Sequence, residues 1–184
     1  MPRYQAPRRN TSGEHPLAYL VTFTTYGSWL HGDERGSIDA GHAAFESPRV
    51  EANLTRYAAL AQHMRSRAVL LDARLREAVE SAIRDVCEHK GWRLEAINVR
   101  TNHVHVVVGA PIRPEVVLTS FKAWATRRCR AKGLLATNQK LWTRHGSTRY
   151  LWTERDIQQA ATYVVEAQGE PLPRGPDVTR QGGG

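Results

Sequence analysis

The chain has 184 residues, 41% of them apolar, and 26 Lys plus Arg against 18 Asp plus Glu, a formal charge of +8. That length suits one domain with one core, and the apolar share excludes wholesale disorder. No apolar run approaches the roughly 20 residues that span a bilayer, which excludes a helical membrane protein.

The polar start, Met1 to His15, has no signal-peptide stretch, so a cytoplasmic protein is expected. Most of the basic excess is arginine, whose planar fork suits bidentate phosphate contacts, and this admits nucleic acid as a partner. Cys87 and Cys129 are far apart, match no zinc spacing and read as packing residues.

Residues 1–15 lack periodicity and are expected to form a flexible arm. Leu17 to Trp29 is β-branched and aromatic and predicts a strand ending at Gly27. The polar, Gly-containing stretch from His31 to Arg49 is long for a connection, as functional or mobile loops are. A helix follows, with Asp72 as N-cap, an apolar stripe of Leu75, Val79, Ala82, Ile83 and Val86, and a stop at Lys90-Gly91. Trp92 to Arg100 and His103 to Ala110 predict two strands joined through Thr101-Asn102. A second helix starts near Pro114-Glu115 and stops at Lys132-Gly133. Leu141 to Trp152 reads as a strand, or as a short hairpin turning at Gly146-Ser147. The last helix runs from about Glu154 to Gly169. The order β-α-β-β-α-β-α predicts an α+β domain over 16–169: a ferredoxin-like βαββαβ antiparallel sheet with helices on one face, plus a C-terminal helix. Residues 170–184, with Pro171, Pro173, Pro176 and a terminal triple glycine, are expected to be a disordered tail.

The sharpest local feature is Asn102-His103-Val104-His105-Val106-Val107-Val108. On a strand, Val104, Val106 and Val108 face the core while His103 and His105 share the other side, about 6–7 Å apart at Cα. Two imidazoles at that separation can converge on one divalent cation and leave positions for a third side chain, water and phosphate oxygens. Two solvent-facing histidines on a half-exposed strand would leave the same pattern.

This segment resembles the His-hydrophobic-His motif of HUH endonucleases. The surrounding elements resemble the single-tyrosine transposases of insertion sequences and their REP-associated relatives. The likeness takes in the opening strand, the Arg- and Trp-rich segment Trp142 to Trp152 and a late helix bearing Tyr163, roughly residues 17–169. On that helix Ile157, Ala160, Ala161, Val164 and Val165 make the apolar stripe. Tyr163 lies more than about 100° from the stripe's centre, so it is not placed as a core tyrosine. The resemblance implies Tyr163 as nucleophile, His103 and His105 as ligands of Mg²⁺ or Mn²⁺, and a 5′-phosphotyrosine intermediate that permits nicking and rejoining of single-stranded DNA. An ordinary phenol ionises near pH 10 and is a poor nucleophile at neutral pH, which is why such chemistry needs electrostatic help.

The chain departs from the family at the third ligand. A Gln or Asn is expected four residues after the tyrosine, and Ala167 stands there. Gln168 is assigned as third ligand by resemblance, although a regular helix turns it about 140° from Tyr163. Glu166, three residues on, is the easier alternative geometrically.

Arg127, Arg128, Arg130 and Lys132 cluster near the end of the second helix, and Arg144, Arg149, Trp152 and Arg155 mark the segment entering the last one. Cations for phosphates with rings for bases are what a single-strand binder uses, although the same residues could form a solvated face around core aromatics. The partner implied is single-stranded, hairpin-forming DNA, with a nucleoid-associated location. Both a homodimer and a monomer occur among the types the chain resembles. Two alternatives remain: a domesticated DNA-binding protein with little cleavage, which the Ala167 departure favours, and a metal-dependent hydrolase that uses water.

Overall fold

Four segments rich in β-branched and aromatic residues form one sheet in the computed structural model, which describes residues 15–27 and 68–166. The strands are β1 (Ala18–Thr25), β2 (Arg93–Val99), β3 (His103–Gly109) and β4 (Trp142–Leu151). The helices are α1 (Ala73–Lys90), α2 (Pro114–Ala131) and α3 (Glu154–Glu166). The 31–49 loop, Gln168, the 170–184 tail and all but the last residue of the expected arm lie outside the described residues.

Strand order is β2-β3-β1-β4, with every neighbouring pair antiparallel. This is the ferredoxin-like arrangement that the element order predicts. Local chemistry sets the helix ends. The Asp72 carboxylate accepts from the Leu75 amide at 2.8 Å, and Gly91, at φ 63°, closes α1 in the left-handed conformation. Pro114 opens α2, where its missing N–H costs nothing. At α3 the Asp156 amide donates to the Thr153 hydroxyl at 3.1 Å, while the Thr153 amide donates to the Asp156 carboxylate at 3.0 Å. That is a reciprocal capping box. Among the described residues, no helix is long and apolar enough to cross a membrane.

Alternation gives the sheet two cores. Tyr19, Val21, Phe23, Val104, Val106 and Val108 point to α1 and α2, where they meet Val79, Ile83, Val86, Val117 and Phe121. Leu20, Val107, Ala96 and Leu151 point the other way, against Ile157, Ala160 and Val164 of α3. The thiols of Cys87 and Cys129 are free and buried in the first core, and burial pushes both up to about 11. α3 covers only part of its face, which leaves the row from Thr22 and Thr24 to His105 and His103 beyond its apolar contacts.

Two irregularities adjust this pattern. In β2 the register shifts at Glu95, so Leu94 faces the first core and Ala96 the second, after which Ile97 and Val99 return to the first core. In β4 the register shifts near residue 143, where Thr25 pairs with Trp142 and Phe23 with Gly146. Residues 142–151 are one continuous strand, the first of the two readings, and no turn forms at Gly146-Ser147. Gly146 serves close approach instead: a Cβ there would lie 2.6 Å from the Thr22 carbonyl oxygen. The Lys122 ammonium of α2 gathers the bulge by donating to the carbonyls of Thr143 at 3.0 Å and His145 at 3.0 Å. Burial, and then the charge of Lys140, lowers the Lys122 amine to about 8.

Candidate active site

The valine alternation on β3 leaves His103 and His105 on the α3 face, with ring centroids 4.8 Å apart and planes crossed at 74°. His105 is buried and His103 half-buried. Each ring is held from behind. The Asn102 side-chain carbonyl sits 2.7 Å from Nδ1 of His103, and since a carbonyl oxygen only accepts, that nitrogen carries the proton. In the neutral ring Nε2 is then the acceptor nitrogen of His103. The Thr22 hydroxyl, directly across on β1, meets Nδ1 of His105 at 2.8 Å. Supports of this kind fix the tautomer and orientation of imidazoles that ligate metals.

α3 brings Tyr163 to the same place. Its ring centroid lies 6.1 Å from that of His105, at an interplanar angle of 76°. The side chain is half-buried at the margin of the second core. The wheel expectation is amended by Val165, which is 63% exposed. The buried stripe is Ile157, Ala160 and Val164, and this turns Tyr163 toward the sheet instead of away from it. Sequence reasoning missed Asn98. It pairs with His105 across β2 and β3 and donates from Nδ2 to the Val164 carbonyl at 2.8 Å, tying the last turn of α3 beside the histidines. Its place is readable only once the Glu95 bulge is known.

Among the described residues no three His, Cys, Asp or Glu side chains converge, and Glu166 is exposed. Two imidazoles so placed can hold two positions of a divalent cation and leave the others for water and phosphate oxygens.

The basic residues do not gather in one place. Arg149 lines a cleft with Tyr163 on the α3 face. Arg144 lines a separate groove with Glu115 and Tyr150 between α2 and β4. Trp152 stacks on Tyr150 at 6.2 Å, and Arg155 is exposed in the first turn of α3. The α2 cluster belongs to the helical layer on the opposite side of the sheet. There Arg127 lies over the Trp124 ring at 5.6 Å, Arg130 donates to the Gln139 carbonyl at 3.3 Å, and Lys132 caps the helix end. Arg128 is bound to Ser81 at 2.6 Å and paired with Asp85, so it bridges α2 to α1. Trp142, at the start of the Arg- and Trp-rich segment, is buried edge-on against Phe23.

No curated protein matches the sequence. Among solved structures, a protein of Deinococcus radiodurans R1 assigned as a transposase aligns at 15% identity over 86% of this chain and 95% of its own, with a TM-score of 0.47. A REP-associated tyrosine transposase bound to a REP hairpin aligns at 12% identity over 87% of this chain and 70% of its own, with a TM-score of 0.46. The sequence profile described as "Transposase IS200 like" matches residues 56–164, a span that holds both histidines and Tyr163. That span is more than half of the 184 residues, and the chain belongs to the IS200-like transposase family.

Proposed function

We propose that this protein nicks and rejoins single-stranded, hairpin-bearing DNA, with Tyr163 as the nucleophile and His103 and His105 as ligands of a divalent cation. The observation that carries the reading is the meeting of three side chains from two distant elements, Tyr163 of α3 with the paired imidazoles of β3. The Tyr163 oxygen attacks the scissile phosphorus in line with the bond to the 3′-oxygen. The new P–O bond forms as the P–O3′ bond breaks, and the phenol's proton leaves to solvent or to the departing oxygen, giving a 5′-phosphotyrosine and a free 3′-hydroxyl. One ester replaces another, so attack by a 3′-hydroxyl reverses the step without ATP. Bound Mg²⁺ or Mn²⁺ would supply a Lewis acid for the phosphoryl oxygens and for the charge developing on the 3′-oxygen. Thr22 and Asn102 hold the imidazoles, and Asn98 holds the tyrosine helix against them. Gln168 is the third side chain proposed for the cation, with Ala167 in the place where the family's ligand is expected.

A second reading, a DNA binder with little cleavage, draws its support from Ala167. The two are separated by incubating the protein with pooled single-stranded hairpins and Mn²⁺, then resolving the products on a denaturing gel. A covalent adduct with wild type, absent in Tyr163→Phe and His103→Ala, is the expected result. Binding without an adduct would favour the second reading. Cleavage that survives Tyr163→Phe would make water the nucleophile and overturn the proposal.

A further inference from the structure

Tyr163 has two flanks. On the β3 side stand the histidines. On the β4 side lies a cleft of about 300 Å³ lined by Leu20, Arg149, Gln159, Ala160 and Tyr163. Leu20 and Ala160 belong to the second core and give the cleft an apolar floor. Arg149 pairs with Leu20 across β1 and β4, so it rises from the same face as the histidines, unlike the α2 cluster. Gln159 sits one helical turn before Tyr163 and therefore on the same side of α3. The Asp156 carboxylate, which accepts from the amides of Trp152 and Thr153 in the cap, lies near enough to feel the charge of Arg149.

We propose that this cleft seats the nucleotide immediately 3′ of the cut, the one that remains on Tyr163 in the covalent intermediate. The inference rests on the nicking reading above. The leaving 3′-oxygen belongs on the histidine flank, where a cation would stabilise it, which leaves the other flank of the ring for the strand that stays. The volume is at the small end of ligand sites and suits one nucleotide unit. Arg149 supplies a fork for a phosphate, and Gln159 an amide that both donates and accepts at a base edge, over an apolar floor for sugar and ring. Arg149 is thus a binding residue for the attached strand, and Gln159 a specificity residue for its first base.

The test uses the full chain with Mn²⁺ and hairpin oligonucleotides randomised on both sides of the cleavage position, with sequencing of the strands that become covalently attached. Gln159→Leu should change the preference among the four bases at the first attached nucleotide by about tenfold, and leave the preference 5′ of the cut as in wild type. Arg149→Ala should raise the KM for adduct formation about tenfold or more, with a much smaller change in kcat. Gln158→Leu, an exposed neighbour outside the cleft, is the control. Arg149 and Gln159 are exposed, so these variants should fold, and matched thermal unfolding would verify it. Adducts formed by both variants with wild-type base preference and KM would overturn the inference while leaving the nicking reading intact. A changed preference on the 5′ side would also overturn it. Absence of any adduct with wild type would instead remove the nicking reading, and this inference with it.

Discussion

Asn98→Ala isolates the tie between the tyrosine helix and the sheet. Val164 lies in the last turn of α3, where carbonyls run out of donors within the helix. The Asn98 amide meets that need at 2.8 Å, in a part-buried position. A neutral hydrogen bond of this type contributes about 1 kcal/mol net, so its removal should favour opening of the last turn about fivefold. Ile157, Ala160 and Val164 still anchor α3 by apolar burial, so the helix should stay docked overall. Amide hydrogen exchange should therefore quicken about fivefold in the α3 turn that holds Tyr163, with α1 unchanged. Asn98→Asp should be worse than Ala, because a carboxylate would face the carbonyl with no N–H to offer. Covalent adduct formation should fall in the same order. Unchanged exchange in α3, or an equal loss of protection in α1 and α3, would refute the claim that Asn98 acts as a local tie.

Five other outcomes follow from the structure. Thr153→Ala and Asp156→Ala should each cost about 1 kcal/mol, with a double variant less than additive in urea melts because the two residues act as one cap. Burial would raise the Asp156 carboxyl, but hydrogen bonds from Thr153 and Trp152 and the charge of Arg149 together lower it. Its contribution is thus complete above the ordinary value of 3.8 and lost as pH falls through the lower folded value, a loss that Asp156→Asn should abolish. Lys122, at about 8 in the fold against 10.5 ordinarily, holds its proton less tightly folded than unfolded. The stability of wild type relative to Lys122→Met should therefore rise between pH 8 and 10.5, and a flat difference in urea melts would contradict the assignment. Cys87 and Cys129 should resist a thiol reagent at pH 8 and react only in urea, because their thiols titrate at about 11 and are buried. Arg128→Ala should lower stability by about 1 kcal/mol while leaving the salt slope of DNA binding unchanged, since its guanidinium is engaged by Ser81 and Asp85.

Local signals in the sequence carried the framework. Asp72, Gly91 and Pro114 mark helix ends by backbone requirements that hold in any context, and the structure has those ends. The His-Val alternation on β3 set the two faces because a strand's period is fixed. Three features needed long-range information. Gly146 looked like a turn because a glycine's need for close approach depends on Thr22, far away in sequence. Val165 matched the helical stripe, yet α3 buries only Ile157, Ala160 and Val164 and leaves it outside. Arg128 was indistinguishable from its neighbours until Asp85 and Ser81 appeared beside it.

The extra residue in β2 gives that strand a change of phase. Before Glu95, odd and even positions have one assignment to the two faces of the sheet, and after it they have the other. Asn98 faces Tyr163's helix, and Ile97 and Val99 face the core, only because the ladder passes over Glu95. Loss of Glu95 would therefore close the ladder without turning the strand, with Asn98 still opposite His105, whereas an extra residue between Ala96 and Asn98 would offer the amide to the core. A substitution scan of β2 would miss this dependence, whereas one-residue deletions and insertions along the strand would separate the position that tolerates a change of length from those that do not.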